Sequence, residues 1–528
     1  MCGLIAYQGQ KRETLEKIRD HFNLIKHRGP DNSQSLTLPE GFLGFHRLSI
    51  MDLSPQGHQP MQSQSGDTVL VCNGEIYNHR SIRSELTYKY KSQSDCEVIL
   101  ALYQEHGLEK TLQSLDGEFA FVILDRKKNV FIAARDPIGI RPLFYGYTKD
   151  REILFASEMK VLHDICEDIK AFPPAHFYDG HHFKPYCDPG LVEEYWSGTE
   201  DEITTEIRDK LVKAVEKRLN ADVSVGFLLS GGLDSSLVCS IAQRASSTPI
   251  KTFAIGMEKD AIDLKYAKQV ADFLGTNHTE VIISKEDVIN ALEKTIWHLE
   301  TWDITTIRAS LGMYLLCEYI SKNTTVKVLL TGEVSDELFG YKYTDFAPSA
   351  AAFQDEAAKR IRELYMYDVL RADRCISAHS LEARVPFSDQ DFVNLVMKIH
   401  PDKKLNSYNM GKYLLRKAFA TGEYLPESIL YRDKAAFSDA VGHSLVDEVK
   451  KYAAEQYKGQ HLEDIKLDIS QPKPKSFEAL LYLEIFLKMF PKRENLISDY
   501  WLPNKEWEHC DLQDPSARFL PNYGKSGI

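Results

Sequence analysis

The sequence predicts a two-part α/β protein: a strand-rich first part and then a doubly wound parallel sheet. Three observations support that reading. Short strand-like segments divided by turns run to about residue 190, and from Val223 strands and helices alternate. A glycine-rich turn, Ser230-Gly231-Gly232-Leu233-Asp234-Ser235-Ser236, also falls between a strand and a helix. With 528 residues the chain is too long for one core. The junction is expected at 190–205, where Pro189-Gly190 and an acidic stretch at 198–203 interrupt the strand pattern.

In chain order, residues 12–25 have the period of an amphipathic helix, ended by the charged turn His27-Arg28-Gly29-Pro30-Asp31. Residues 45–50 read as a strand with Arg47 in its middle, and 71–78 as a strand running into Asn73-Gly74. Ser94-Asp95 caps a helix through Tyr103, and segments around 116–121 and 134–143 continue the strands. After the junction, Ile207, Leu211, Val215 and Leu219 mark a helix over 205–219. Strands follow at 223–229, 252–257, 280–283 and 326–330. Helices are expected from 237 and over 263–274, 288–300 and 308–321.

Composition narrows the function. The formal charge is −13 and no Lys/Arg stripe occurs, so neither nucleic acid nor an anionic membrane is an expected partner. The nine cysteines form no Cys-x-x-Cys pair, the pattern of reduced thiols in a cytoplasmic protein without a zinc site. No apolar run is long enough for a membrane span, and Met1-Cys2-Gly3 leads into a strand rather than a signal peptide.

Two stretches carry chemistry. The turn at 230–236 has the arrangement that holds a phosphate: glycines admit the anion, free N–H groups point at it, and the helix dipole favours negative charge. Asp234 adds a carboxylate, which fits if a divalent cation lies between it and the anion. No Gly-x-x-x-x-Gly-Lys-Ser/Thr loop is present. After the strand at 326–330, Thr331-Gly332 leads into Glu333, Asp336 and Glu337, three carboxylates within five residues. Their mutual repulsion calls for a cation, and Asp336 pairs with Asp234 as the expected Mg2+ ligands. At the other end, removal of Met1 would leave Cys2 with its own α-amino base beside a nucleophilic thiol.

Residues 1–190 resemble the N-terminal-nucleophile domain of class II glutamine amidotransferases. The matching residues are Cys2-Gly3, His27-Arg28-Gly29-Pro30-Asp31, Arg47-Leu48-Ser49-Ile50, Asn73-Gly74-Glu75 and Ser94-Asp95. The resemblance implies an α+β sandwich, two antiparallel sheets between helical layers, in which Cys2 forms a γ-glutamyl thioester. The Asn73 side chain and the Gly74 N–H would form the oxyanion hole. Glutamine would lie against Arg47, Leu48, Ser49, Ile50, Met51, Glu75 and Asp95, with Arg47 on its carboxylate and the two acids on its ammonium. Cys72 and Cys96 read as core thiols.

Residues 205–528 resemble the ATP-pyrophosphatase domain, with C-terminal helices, of glutamine-hydrolysing asparagine synthetases. The resemblance rests on the 230–236 loop and on Thr301-Trp302-Asp303-Ile304-Thr305-Thr306-Ile307-Arg308, Tyr367-Asp368-Val369-Leu370-Arg371, Leu381-Glu382-Ala383-Arg384 and Tyr431-Arg432-Asp433-Lys434. It implies that aspartate attacks the α-phosphate of ATP, giving β-aspartyl-AMP and pyrophosphate, and that ammonia from Cys2 displaces AMP. Leu229, Ser230, Gly231, Gly232, Asp234, Ser235, Ile255, Thr331 and Gly332 would hold ATP. Lys434 would neutralise the α-phosphoryl oxygens, and Glu333 would act as base for ammonia. Arg371 and Arg384 would bind the aspartate carboxylate. A cytoplasmic homodimer is implied as well. The alternatives are a relative with the same half-sites and another acceptor, and a nucleotide- or ammonia-sensing binder. The chain departs from the family at Val334, where glycine is usual and a positive φ would cost a β-branched residue about 1–3 kcal/mol. Thr331 stands for serine, Ser388 for leucine, and Gly340 is a single glycine where two are usual.

Overall fold

A computed structural model describes residues 1–258, 261–406, 410–433, 443–465, 467, 469, 473–497 and 499–523. The chain forms two compact units. The first comprises Met1–Pro189, Asn220–Ser224 and Ser377–Ala383; the second comprises Gly190–Leu219, Val225–Ile376 and Arg384–Ile528.

The strands of the first unit are β1 (Gly3–Gln8), β2 (Asn32–Leu38), β3 (Gly41–Arg47), β4 (Met61–Gln62), β5 (Thr68–Ile76), β6 (Gly117–Asp125), β7 (Val130–Arg135), β8 (Phe144–Tyr147), β9 (Ile153–Ala156), β10 (Asp168–Ala171), β11 (His176–Tyr178) and β12 (Phe183–Pro185). They form two sheets, ordered β10-β8-β9-β1-β3-β2 and β12-β11-β7-β6-β5-β4. The paired strands run antiparallel, as in β1 with β3 and β5 with β6.

Strand alternation explains the layers. Leu4, Ala6, Leu43 and Phe45 from one sheet share a core with Val69, Val71, Ala120 and Val122 from the other. The opposite face of the second sheet, with Leu70, Cys72, Phe119 and Phe121, packs on Val98, Ile99 and Leu102 of the helix Glu97–Ser114. On the first sheet's outer face, Phe22 of the helix Arg12–Phe22 stacks 3.7 Å from the His46 ring. The result is the expected sandwich of two antiparallel sheets between helices. The first helix ends at Phe22 and tightens into a 3-10 segment, Asn23–Arg28, whose Ile25 has left helical geometry. β3 stops at Arg47, leaving residues 48–51 as a loop.

The second unit carries β13 (Ser224–Leu228) from Val225 on, all of β14 (Lys251–Met257), β15 (Asn277–Ile283) and β16 (Val326–Leu330), and Arg384 of β17 (Glu382–Arg384). These strands form a third sheet, ordered β15-β14-β13-β16-β17. β13 with β14 and β14 with β15 pair in parallel. The helices Leu233–Ala245 and Ile262–Leu274 provide the crossovers. From β13 the chain moves outward to β15, then returns to place β16 on the other side of β13. At such a reversal the loops leaving two adjacent strands diverge and open a crevice at their C-terminal ends. Ser230 follows β13 and Thr331 follows β16, so both carboxylate-bearing turns flank that crevice. The helix expected from 308 begins at Ile304, because Asp303 accepts from the Thr306 N–H at 2.8 Å and caps it.

Candidate active sites

In the first unit, Cys2 precedes β1. Its N–H donates to Asn73 Oδ1 at 2.9 Å, which places the amide of β5 beside the thiol. The other end of that amide, Asn73 Nδ2, is buried and has no hydrogen-bond partner, although the residue is only 1% exposed. An orphaned buried donor costs about 1–3 kcal/mol, so this one has the capacity to take a further acceptor. Gly74 pairs with Phe119, and a Cβ there would lie 2.6 Å from the Glu118 carbonyl. Only glycine lets the two strands approach at that point.

The thiol donates to the Leu48 carbonyl at 3.6 Å, and the Leu48 N–H lies 3.4 Å from Sγ. Burial pushes the Cys2 thiol up, against the N-terminal ammonium and the Leu48 contact, which pull it down. In the chain that retains Met1, the Met1 amine donates to the Leu381 carbonyl at 3.0 Å, and burial lowers it to about 5.

Arg28, Asp31 and Arg47 fix the backbone at Cys2 and in the loop after β3. Arg28 donates from Nε to the Cys2 carbonyl at 2.8 Å, and Asp31 accepts from the Ser49 N–H at 2.8 Å. Arg47 donates to the carbonyls of Ser54 at 3.0 Å and Met51 at 3.1 Å, and also to that of Asp52. Its guanidinium therefore shapes the loop that carries Ile50 and Met51. Glu75 and Asp95 are buried, and Asp95 accepts from the Ile76 N–H at 2.8 Å.

In the second unit a cavity of about 520 Å3 opens at the chain reversal. Leu229, Ser230, Gly232, Asp234, Ser235, Ile255, Thr331 and Gly332 line it. Gly231 does not. It takes φ +71° and packs away from the cavity, where a Cβ would meet Ala267 N at 2.4 Å. Ser235 Oγ holds the turn, 3.2 Å from Ser230 N and 3.0 Å from Ser230 Oγ.

Lys412 joins the two acidic turns. Its Nζ lies 2.7 Å from Asp234 Oδ1, 3.0 Å from Ser335 Oγ and 2.5 Å from Asp336 Oδ1. Sequence reasoning missed it, because one lysine 178 residues from its partner forms no motif. Among the described residues no group of three or more His, Cys, Asp or Glu is spaced to hold a metal ion. The next acid, Glu337, keeps its proton up to about 8 because of burial first, then Asp368 and Asp336.

Four further polar atoms on the cavity wall are buried without a hydrogen-bond partner: Thr305 Oγ1, Thr331 Oγ1, Glu333 Oε2 and Arg371 Nε. Arg371 also pairs with Asp368 at 2.9 Å and approaches Glu333 at 3.5 Å. Arg308, on the same wall, is held by Glu478 at 2.7 Å and Asp514 at 2.8 Å. Arg384 stands elsewhere. It is fully buried, donates to the Arg218 carbonyl at 2.9 Å and is not among the residues that line this cavity. Its residue type fitted a carboxylate, but its place in β17 turns the side chain into the core. Lys434 lies outside the described residues.

Comparison with known proteins gives the lineage. Residues 1–181 match the family described as a glutamine amidotransferase domain, and residues 206–357 and 346–513 match the one described as asparagine synthase. An Arabidopsis thaliana protein named asparagine synthetase [glutamine-hydrolyzing] 3 is 42% identical over 514 residues, spanning 93% of this chain and 88% of that one. A probable asparagine synthetase of Dictyostelium discoideum is 39% identical over 555 residues, 98% of each chain. The chain belongs to the glutamine-hydrolysing asparagine synthetases. Val334 is a buried valine at φ +80°. Gly340 keeps φ +92°, where a Cβ would lie 2.6 Å from Thr344 Oγ1.

Proposed function

We propose that the chain makes L-asparagine from L-aspartate, ATP and glutamine, a ligase reaction fed by its own glutaminase. Cys2 Sγ attacks the glutamine amide carbon. Asn73 Nδ2 and the Gly74 N–H stabilise the oxyanion, and donors of this kind contribute about 3 kcal/mol each. Ammonia leaves, and water releases glutamate from the thioester. Removal of Met1 exposes the α-amino group of Cys2, which takes the thiol proton.

At the second site the aspartate β-carboxylate attacks the α-phosphorus and pyrophosphate departs against the 230–236 turn. Arg371 offers its unpartnered Nε to the substrate carboxylate, and Thr305 offers a hydroxyl. Ammonia then attacks the acyl carbon of β-aspartyl-AMP, Glu333 Oε2 accepts its proton, and AMP leaves. The observation that carries this reading is the unpartnered Glu333 Oε2 and Arg371 Nε meeting in one cavity at the reversal point. Lys434 is proposed as the further cation on the α-phosphoryl group.

Asp234 and Asp336 are proposed as Mg2+ ligands. Mg2+ usually binds through one or two carboxylates together with substrate phosphates and water. A two-acid set with Lys412 between them fits a cation that enters with the nucleotide, where it would neutralise phosphate charge. Among the described residues no cysteine forms a disulfide, which supports a cytoplasmic location. A homodimer is proposed from the family resemblance and is checked by light scattering.

Cys2→Ala is expected to abolish asparagine formation from glutamine while leaving formation from ammonia. Product analysis with ATP, aspartate and each nitrogen source tests this, and loss of both activities would refute two separate sites.

A further inference from the structure

The glycine turn has a partner outside both acidic motifs. Arg432 lies with its guanidinium carbon 3.7 Å above the centre of the Tyr266 ring. Its Nη1 donates to the Gly231 carbonyl at 3.1 Å, and the guanidinium also lies 3.4 Å from Asp263 Oδ1. The backbone of Arg432 is fixed in turn, because Arg416 donates to its carbonyl at 2.9 Å and to the Gly411 carbonyl at 2.7 Å. Tyr266 is also the residue against which Gly231 packs, since a Cβ on Gly231 would touch Tyr266 and Ala267.

We infer that Arg432 is a positioning residue for pyrophosphate binding, acting through the Gly231–Gly232 peptide. The inference rests on the nucleotide-site reading given above. A trans peptide is planar, so the carbonyl of one residue and the N–H of the next point in opposite directions. Holding the Gly231 carbonyl on the Tyr266 side therefore turns the Gly232 N–H to the other side. Gly232, but not Gly231, lines the cavity, and it caps the helix Leu233–Ala245 whose dipole faces the same space. The Gly231–Gly232 peptide, with φ +71° at Gly231, has no Cβ on either side to restrict its rotation. The guanidinium supplies that restraint. Arg432 itself lies on the cavity wall, and its Nη1 and Nη2 are engaged by the Gly231 carbonyl and Asp263.

The test uses the full chain with Mg2+ and two probes, pyrophosphate and AMP, measured by calorimetry. Amide hydrogen exchange of the ligand-free protein is followed in parallel. Arg432→Met keeps the stem over Tyr266 and removes the donors, whereas Arg432→Lys keeps a donor. For Arg432→Met, pyrophosphate binding is expected to weaken about tenfold or more, the effect of one lost charge-assisted hydrogen bond. AMP, which lacks the departing phosphates, should bind as to the parent within about twofold. Exchange in peptides covering 229–236 should quicken, and Arg432→Lys should recover most of the affinity.

Unchanged pyrophosphate affinity in Arg432→Met would overturn the inference. A parallel loss of AMP binding would also overturn it, because the role would then be merely structural. Weakened pyrophosphate binding with unchanged exchange at 229–236 would overturn it by showing that Arg432 touches phosphate directly. If the parent protein binds no pyrophosphate, the nucleotide-site reading itself fails.

Discussion

Val334 holds a left-handed backbone, φ +80° and ψ −21°, with its isopropyl group buried at 1% exposure. Two effects of similar size oppose each other there. The conformation costs a β-branched residue about 1–3 kcal/mol, and burial of its side chain returns about 1.5–3 kcal/mol. Val334→Gly is therefore expected to change stability by only about 0–2 kcal/mol. Val328→Gly, in an ordinary strand position that is equally buried, relieves no strain and should cost about 3 kcal/mol or more. Denaturant unfolding of both variants decides it, and equal losses would show that Val334 is unstrained. Legibility divides at the same scale. Asp234, Asp336 and Asn73 were readable because each belongs to a short motif with a chemical purpose. Lys412, Arg28 and Arg432 act across distant segments and leave no local pattern. For Arg384, suitability for a carboxylate said nothing about which way β17 faces.

The short helix Ser335–Phe339 gathers the acids of the second site, and its electrostatics give it a pH signature. Glu337 stays protonated in the folded chain to about 8, against an ordinary value of 4.5, chiefly because it is buried and then because Asp368 and Asp336 are near. Between those values the folded state holds a proton that the unfolded chain has released. The folded state binds more protons, so the free energy of unfolding falls as pH rises through that window. Glu337→Gln removes this linkage. Its melting temperature should vary less than the parent's between pH 6 and 8 (range set by the raised carboxyl), and identical slopes would contradict the assignment. Elements themselves were legible where a periodic run was long, as in the helices Glu200–Lys217 and Ile262–Leu274. Their ends were less so. The helix beginning at Ile304 gained a turn from the Asp303 cap, and the one ending at Phe22 lost a turn to 3-10 geometry.

Across the whole chain, the first unit is not one continuous stretch. Asp222 donates its N–H to the Ile50 carbonyl at 3.1 Å and accepts from the Asp52 N–H at 2.8 Å, bracketing the loop beyond the Cys2 thiol. Ser377 Oγ accepts from Arg28 at 2.9 Å, and Ser380 Oγ donates to the His27 carbonyl at 2.7 Å. Residues 1–198 expressed alone lack these partners. With each bond contributing about 0.5–1.5 kcal/mol, the fragment is expected to be destabilised by several kcal/mol and to lose most glutaminase activity. Thermal unfolding and glutamine hydrolysis, each compared with the full chain, test this; equal values would mean that the later segments are dispensable. The expected linear division near 190–205 missed these excursions because 220–224 and 377–383 are too short to carry a compositional signal.

Lys412 and Asp234 meet across 178 residues. That ion pair cannot form until β13 and the segment around residue 411 have reached their places, and the bond from Lys412 to Asp336 needs β16 as well. Contacts of such long range are made late, after local helices and hairpins, because loop closure opposes them until the rest of the sheet supports them. The cavity is thus a late-assembling part of the molecule, and in refolding its ligand binding should return after the far-ultraviolet circular dichroism has already recovered.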